Sequence, residues 1–425
     1  HQLGDTNPYV YRTTNFGDSW TSLSEGIPRS VFSYAHVIRE DPVRPGLLYL
    51  GTENALYLSL DDGRSWSELQ NNLPHAPVHD LTIQSDFNDL VVATYGRGFW
   101  IMDDVTPIQQ LTEEVLESDV YLFAPRPALR FLNRQGSQSQ PEDPGAGQNP
   151  DYGASISFYL QEIPTDAVRL EVHGEAGELV QTLPTRDLRP GINRVHWNLR
   201  ERSSNTPRLR TKPSEHSHVN MPDEGWRPLG EGGRVTPLAP PGFYTVTLTV
   251  GDTELMQPLE VLKDPNSGSS RLAILEQVDL VRSIRESLDS TVALIDRIEW
   301  IRAQIQMVQN MSADHEAAED IREAGGGLED RLIDLEMNLF DVRMTGGTAR
   351  QDTLRFARRL YSRLSSLAGY ITGTDDRPTD QAREVFDMLR SELDDYERRW
   401  SSLGEDVAAF NRLLEDRGIN PIGLN

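Results

Sequence analysis

Near the start of the chain one turn is written twice. Thr13, Asn15, Gly17, Ser19 and Trp20 recur at the same spacing as Ser59, Asp61, Gly63, Ser65 and Trp66, each set followed by an apolar residue, Leu23 or Leu69. The chemistry of the pattern is structural: a short Asn or Asp side chain hydrogen-bonds its own turn, glycine adopts positive φ, and tryptophan covers the hairpin. Asn15, Gly17, Trp20, Asp61, Gly63 and Trp66 are therefore read as turn-forming rather than ligand-binding residues. The two tryptophans lie about 46 residues apart, the length of one four-stranded blade of a β-propeller.

A second internal alignment extends this reading. Residues 48–62 (LYLGTENALYLSLDD) lie without gaps over residues 90–104 (LVVATYGRGFWIMDD), giving strand, short polar loop and strand in each, with residues 33–38 and 78–84 as the preceding strands. The last copy keeps Asp103 and Asp104 but has Val105 where the earlier one has Gly63, so its turn is degenerate. About two and a half blades are visible, whereas propellers close with about four to eight. The expectation is that the ring is completed by N-terminal blades of the same protein or of a companion chain.

Beyond the blades, 1–131 gives way to a linker over 132–153, rich in Gly, Pro, Ser and Gln. Short alternating strands then fill 154–264, a small antiparallel sandwich with a polar insertion at 201–235; Pro258 suits an edge strand. From 265 to 425 the apolar period becomes helical. A long helix starts near Ser270, others follow over 328–344, 353–367 and 382–400, and a short one covers 407–414. Gly325–Gly327, Gly346, Gly347 and the stretch 373–378 mark the turns. The predicted fold class is thus multidomain β plus α: partial propeller blades, an immunoglobulin-like β-sandwich, and a C-terminal antiparallel helical bundle.

Composition narrows the function classes. The net charge of −25 arises from 66 acidic against 41 basic residues, a surface that repels phosphate backbones, so no nucleic-acid partner is expected. Cysteine is absent, removing disulfides, thiolate nucleophiles and thiolate-held metals together. No apolar run reaches the length of a membrane span.

In a blade, the loop between the second and third strands opens on the same face as the links between blades, and the repeated turns open on the other. Recognition is therefore expected at Glu53, Asn54, Tyr95 and Arg97, with Arg29, Tyr34, His36, His75 and His79 on the links. Arg97 stands between Gly96 and Gly98, which leave its backbone approachable while the guanidinium projects. Glu53 is the one weak candidate for catalysis, because a glycosidase needs two carboxylates across one cleft. His216 and His218 sit in a Pro- and Ser-rich loop, and no metal site is assigned; no cofactor is expected. Gly325–Gly327 lacks the signature of a phosphate loop, and no serine sits at a nucleophile elbow.

The segments TTNFGDSW, SLDDGRSW and ATYGRGFWIMDD resemble the Asp-box of bacterial neuraminidase (BNR) repeats, and GINRVHW and PGFYTV resemble an immunoglobulin-like module. The order of parts is similar to that of bacterial sortilin-like or BNR propeller proteins, often labelled glycosyl hydrolases. The resemblance implies a bacterial secreted, periplasmic or cell-surface protein whose propeller face binds peptide or glycan. The leading expectation is a non-catalytic binding or scaffold module, with the helical bundle mediating assembly. The alternatives are a glycoside hydrolase of sialidase or xyloglucanase type, and a subunit of a larger envelope or surface complex.

Overall fold

The computed structural model describes residues 4–132, 147–213, 215–345 and 352–423. Most of the expected linker, and the pair Gly346 and Gly347, lie outside the described residues. The chain divides into two compact units, His1–Leu199 with Pro241–Leu262, and Arg200–Pro240 with Lys263–Asn425. It is a mixed protein: antiparallel sheets dominate the first unit and long helices the second.

The first unit begins with a hairpin of β1 (Tyr11–Arg12) and β2 (Thr21–Ser22). A four-stranded meander follows, β3 (Ala35–Glu40), β4 (Leu48–Thr52), β5 (Leu56–Ser59) and β6 (Ser67–Glu68), then a three-stranded one, β7 (Val78–Gln84), β8 (Asp89–Thr94) and β9 (Phe99–Met102). β4 is buried throughout because both of its faces are covered. Leu48 and Leu50 join Val10, Ile27 and Trp66 in one cluster, while Tyr49 joins Val78, Leu90 and Val92 in another. A strand covered on both faces reads as a continuous apolar run, as LYLG does here. At Gly51 the meanders approach so closely that a Cβ would stand 2.7 Å from the Val78 carbonyl oxygen.

The two repeated turns share one hydrogen-bond plan. Gly17 N–H donates to Thr13 Oγ1 at 2.8 Å, and Gly63 N–H to Ser59 Oγ at 2.8 Å. Ser19 N–H donates to Asn15 Oδ1, and Ser65 N–H to Asp61 Oδ1, both at 2.9 Å. The residue before each glycine, Phe16 or Asp62, also has positive φ, as do the glycines. The tryptophans differ. Trp66 is buried and donates to the Leu23 carbonyl of the preceding hairpin at 2.7 Å, whereas Trp20 is 61% exposed.

The ungapped internal alignment needs one correction. Leu48 pairs with Ser59 but Leu90 pairs with Met102, so the second loop is one residue longer. Arg97 is the extra residue, held between two positive-φ glycines. A Cβ at Gly96 or Gly98 would meet nothing within 4 Å, so these glycines serve the turn and not a close approach.

Two short helices, α1 (Thr106–Gln109) and α2 (Glu113–Glu117), lead on. The segment after them supplies β10 (Val120–Leu122) and β11 (Ala128–Arg130). Next come β12 (Ala154–Leu160), β13 (Val168–His173), β14 (Leu179–Leu183) and β15 (Gly191–Trp197); β16 (Arg208–Leu209) and β17 (Arg227–Pro228) pair with each other in the second unit, and β18 (Gly242–Val250) and β19 (Thr253–Lys263) return to the first. One sheet has the order β10-β12-β15 and the other β11-β19-β18-β13-β14. Their core centres on fully buried Trp197, whose ring meets Tyr244 edge-on at 5.2 Å. Pro258 lies in β19, second in its sheet rather than at the edge; the strand beyond it, β11, has only three residues against the eleven of β19.

In the second unit, α3 (Arg271–Met311) starts at an N-cap, Ser270, whose hydroxyl accepts from Ala273 N–H. It packs with α4 (Ala318–Leu339), α6 (Leu360–Ile371) and α7 (Asp380–Asp416); α5 (Asp352–Arg355) is a single turn. Gly325–Gly327 does not turn the chain but lies inside α4. The reason is packing: a Cβ at Gly325 would stand 3.2 Å from Ile305 Cγ2 and closer still to Gln309, so glycine lets α3 and α4 approach. The residues 407–414 are not a separate helix but the end of α7.

The segment 201–235 packs on α3. Glu201 takes Arg282 and Arg285, while Asp289 and Asp296 accept the backbone N–H groups of Asn205 and Arg208 at 2.7 Å each. Leu209 and Val235 enter the helical core. Acidic residues at helical spacing thus cap the open backbone of a strand-like segment, a use that an apolar periodicity does not reveal.

Candidate functional site

The candidate site is built by one local device used twice. In β3 the register slips between Ala35 and Val37, and in β7 between Val78 and Asp80. His36 and His79 are the extra residues of these two bulges. A bulge re-aims the side chain it carries, and both imidazoles come to one place, with ring centroids 4.5 Å apart.

The loops beside the bulges complete the patch. Glu53 N–H donates to the Tyr34 carbonyl at 3.2 Å and Tyr95 N–H to the Pro77 carbonyl at 2.9 Å, so each loop is pinned to the strand entry next to it. Thr52 and Thr94 close the loops from beneath, their hydroxyls donating to the Ala55 and Gly98 carbonyls at 2.9 and 2.7 Å. Above them runs a row of rings: Tyr34 meets His36 edge-on at 5.2 Å, His36 meets His79, and His79 stacks on Tyr95 at 5.4 Å. Glu53 sits against this row, Oε2 2.7 Å from His36 Nε2. Partial desolvation, and then the hydrogen bond to Glu53, raise the Tyr34 phenol above its ordinary pKa.

Exposure is graded along the row. Tyr34, His36 and Glu53 are half-buried, His79 is exposed, and Tyr95 is 71% exposed. Asn54 and His75 flank it, with Asn54 Nδ2 3.4 Å from His75 Nδ1. Arg97 is exposed at the tip of its loop; its carbonyl accepts from Trp100 Nε1 at 3.1 Å, and its guanidinium makes no ion pair among the described residues. Arg29 is exposed on the link and has no ion pair among the described residues.

Of the residues expected on this face, the structure therefore gathers Tyr34, His36, Glu53, His79 and Tyr95 into one cluster, sets Asn54 and His75 at its side, and leaves Arg29 and Arg97 outside its hydrogen-bonded part. The donor atoms of His36, Glu53 and His79 all lie within 4.8 Å of one another, the one group of three potential metal-ligating side chains among the described residues. Sequence reasoning placed these residues on a common face without reading them as a ligand set. The available signal was the recurrence of histidine at matching positions of SYAHV and APVHD. His216 and His218 are neighbours, with rings 5.6 Å apart, and gain no third ligand among the described residues.

Asn15, Gly17, Asp61 and Gly63 are engaged by hydrogen bonds within their own turns, whereas Trp66 reaches the Leu23 carbonyl. No helix among the described residues is long and apolar enough to cross a membrane.

Neither a protein-family model nor a curated protein matches this chain. Among solved structures it is similar to the extracellular domain of a putative hybrid two-component system from B. thetaiotaomicron, at 13% identity and a TM-score of 0.20, over 60% of this chain and 29% of that one. The chain thus matches less than a third of that structure's length, and a superposition this loose carries no argument about fold or function.

Proposed function

We propose that this chain is a non-catalytic recognition module of the Asp-box (BNR) propeller type, acting outside the cytoplasm, and that it holds a glycan on the face formed by Tyr34, His36, Glu53, His79 and Tyr95. The observation that carries the reading is the row of rings ending in exposed Tyr95, with a carboxylate and an amide beside it. An exposed aromatic ring offers an apolar face to a sugar ring, and Glu53 and Asn54 offer hydrogen-bond partners to hydroxyl groups. In the same reading the exposed side of the first hairpin, with Tyr9, Phe16 and Trp20, receives a further Asp-box sheet as that hairpin receives Trp66.

A hydrolase would need a second carboxylate about 5 to 10 Å from the first. The cluster contains one, Glu53, already engaged by His36. The test is binding of the full chain to a glycan panel, followed by calorimetry on any ligand found. Tyr95→Ala should weaken binding tenfold or more and Arg97→Ala less. Turnover abolished by Glu53→Gln would replace this reading with the hydrolase. A panel without ligands, or a Tyr95→Ala variant that binds normally, would remove it.

A further inference from the structure

We infer that His36, Glu53 and His79 form a binding site for a divalent transition-metal ion, with zinc the best fit. Two imidazoles and one carboxylate make a donor set that suits zinc and its neighbours and disfavours magnesium and calcium, which take oxygen ligands. Three protein donors are the complement of an open zinc site, which keeps one position for water or a ligand group.

The geometry requires little adjustment. Zinc binds imidazole nitrogen at about 2.0–2.1 Å, which sets tetrahedral donors about 3.3 Å apart. The three donor atoms here lie within 4.8 Å of one another, and the His36–Glu53 pair at 2.7 Å. Closing the set takes side-chain rotations that move the donor atoms by about an ångström, and His79, the exposed member, has the most room to turn.

Three further features support a built site rather than a chance meeting. Both histidines occupy the extra position of a β-bulge, in two sheets that otherwise pair regularly over those strands. The carboxylate is oriented by Tyr34, a ligand-supporting contact of the kind metal sites use. Gly51, where any side chain would strike Val78, holds the two sheets at the close distance that lets residues from both share one ion.

This inference does not depend on glycan recognition: a chain that binds metal and no glycan, or glycan and no metal, separates the two. The experiment uses the full chain, stripped with chelator and titrated calorimetrically with zinc alone. One zinc ion per chain is expected at micromolar affinity or better. His79→Gln and Glu53→Gln should each weaken it at least tenfold, and the His216→Ala/His218→Ala double variant should leave it unchanged, with circular dichroism checking the fold of each. On the unmodified protein, zinc should also protect His36 and His79 from diethylpyrocarbonate, read by peptide mass. Absence of zinc binding, loss that follows His216 and His218 instead, or unprotected His36 and His79 would overturn the assignment.

Discussion

Arg302→Met should destabilise the helical unit more than any other single substitution of a charged residue in it. Arg302 is 3% exposed and lies among three carboxylates, 2.6 Å from Glu336, 3.1 Å from Glu299 and 3.5 Å from Glu329. Glu299 and Glu336 are fully buried, and Glu299 also accepts from the backbone N–H and hydroxyl of Thr211 at 2.6 and 2.8 Å. Removing the cation leaves two carboxylates facing each other in a medium of low polarity, a loss of about 3–5 kcal/mol. The effect should depend on pH. Burial first, and repulsion from Glu299 second, hold the Glu336 carboxyl well above its ordinary range, against the pull of Arg302. A raised folded-state pKa means that the folded chain keeps a proton the unfolded chain releases. That contribution is complete below the ordinary value of about 4.3 and is lost as pH rises through the folded one. Without Arg302 the folded value climbs further, so the destabilisation should be larger near about pH 8 than near about pH 5. Urea unfolding followed by far-ultraviolet circular dichroism measures both. Adding Glu336→Gln to Arg302→Met should recover part of the loss through the shared contact. A loss below about 1 kcal/mol at the higher pH, or no dependence on pH, would refute the reasoning.

Two other expectations follow from the first unit. Gly51→Ala places a Cβ 2.7 Å from the Val78 carbonyl oxygen and should cost about 1–3 kcal/mol of stability by thermal unfolding, with a shift of the neighbouring Glu53 visible in any site-directed probe. In the second repeated turn, burial opposes ionisation of Asp61, but hydrogen bonds from Ser65 and Ser59 outweigh it and hold the carboxyl below its ordinary value. Its stabilising contribution is therefore present above the unfolded value and lost as pH falls through the folded one, so Asp61→Ala should flatten the acid limb of the unfolding profile.

The sheets and helices were legible because their signals are local. The alternation from residue 154 and the helical period that starts near Ser270 each rest on a few neighbouring residues, and strands and a helix stand there. Gly325–Gly327 was misread because a glycine run is a turn signal in isolation, while its value in α4 is the space that Ile305 and Gln309 demand. The division of 407–414 from α7 failed for a similar reason: Ser401, Ser402 and Gly404 weaken propensity, but packing carries the helix through. The one-residue difference between the tandem loops escaped an ungapped alignment because strand register is set by pairing across the sheet.

Sequence alone determined that tandem copies of one turn-bearing unit stand near the start and that sheets precede helices. Those properties belong to spacing and residue type. Only the tertiary structure decided that 201–235 keeps company with α3, that Arg302 is enclosed by three acids, and that His36 and His79 converge on Glu53. Convergence of that kind depends on how two sheets are offset and where each strand slips by a residue, and a slip changes the direction of a side chain without altering the alternation that a sequence displays.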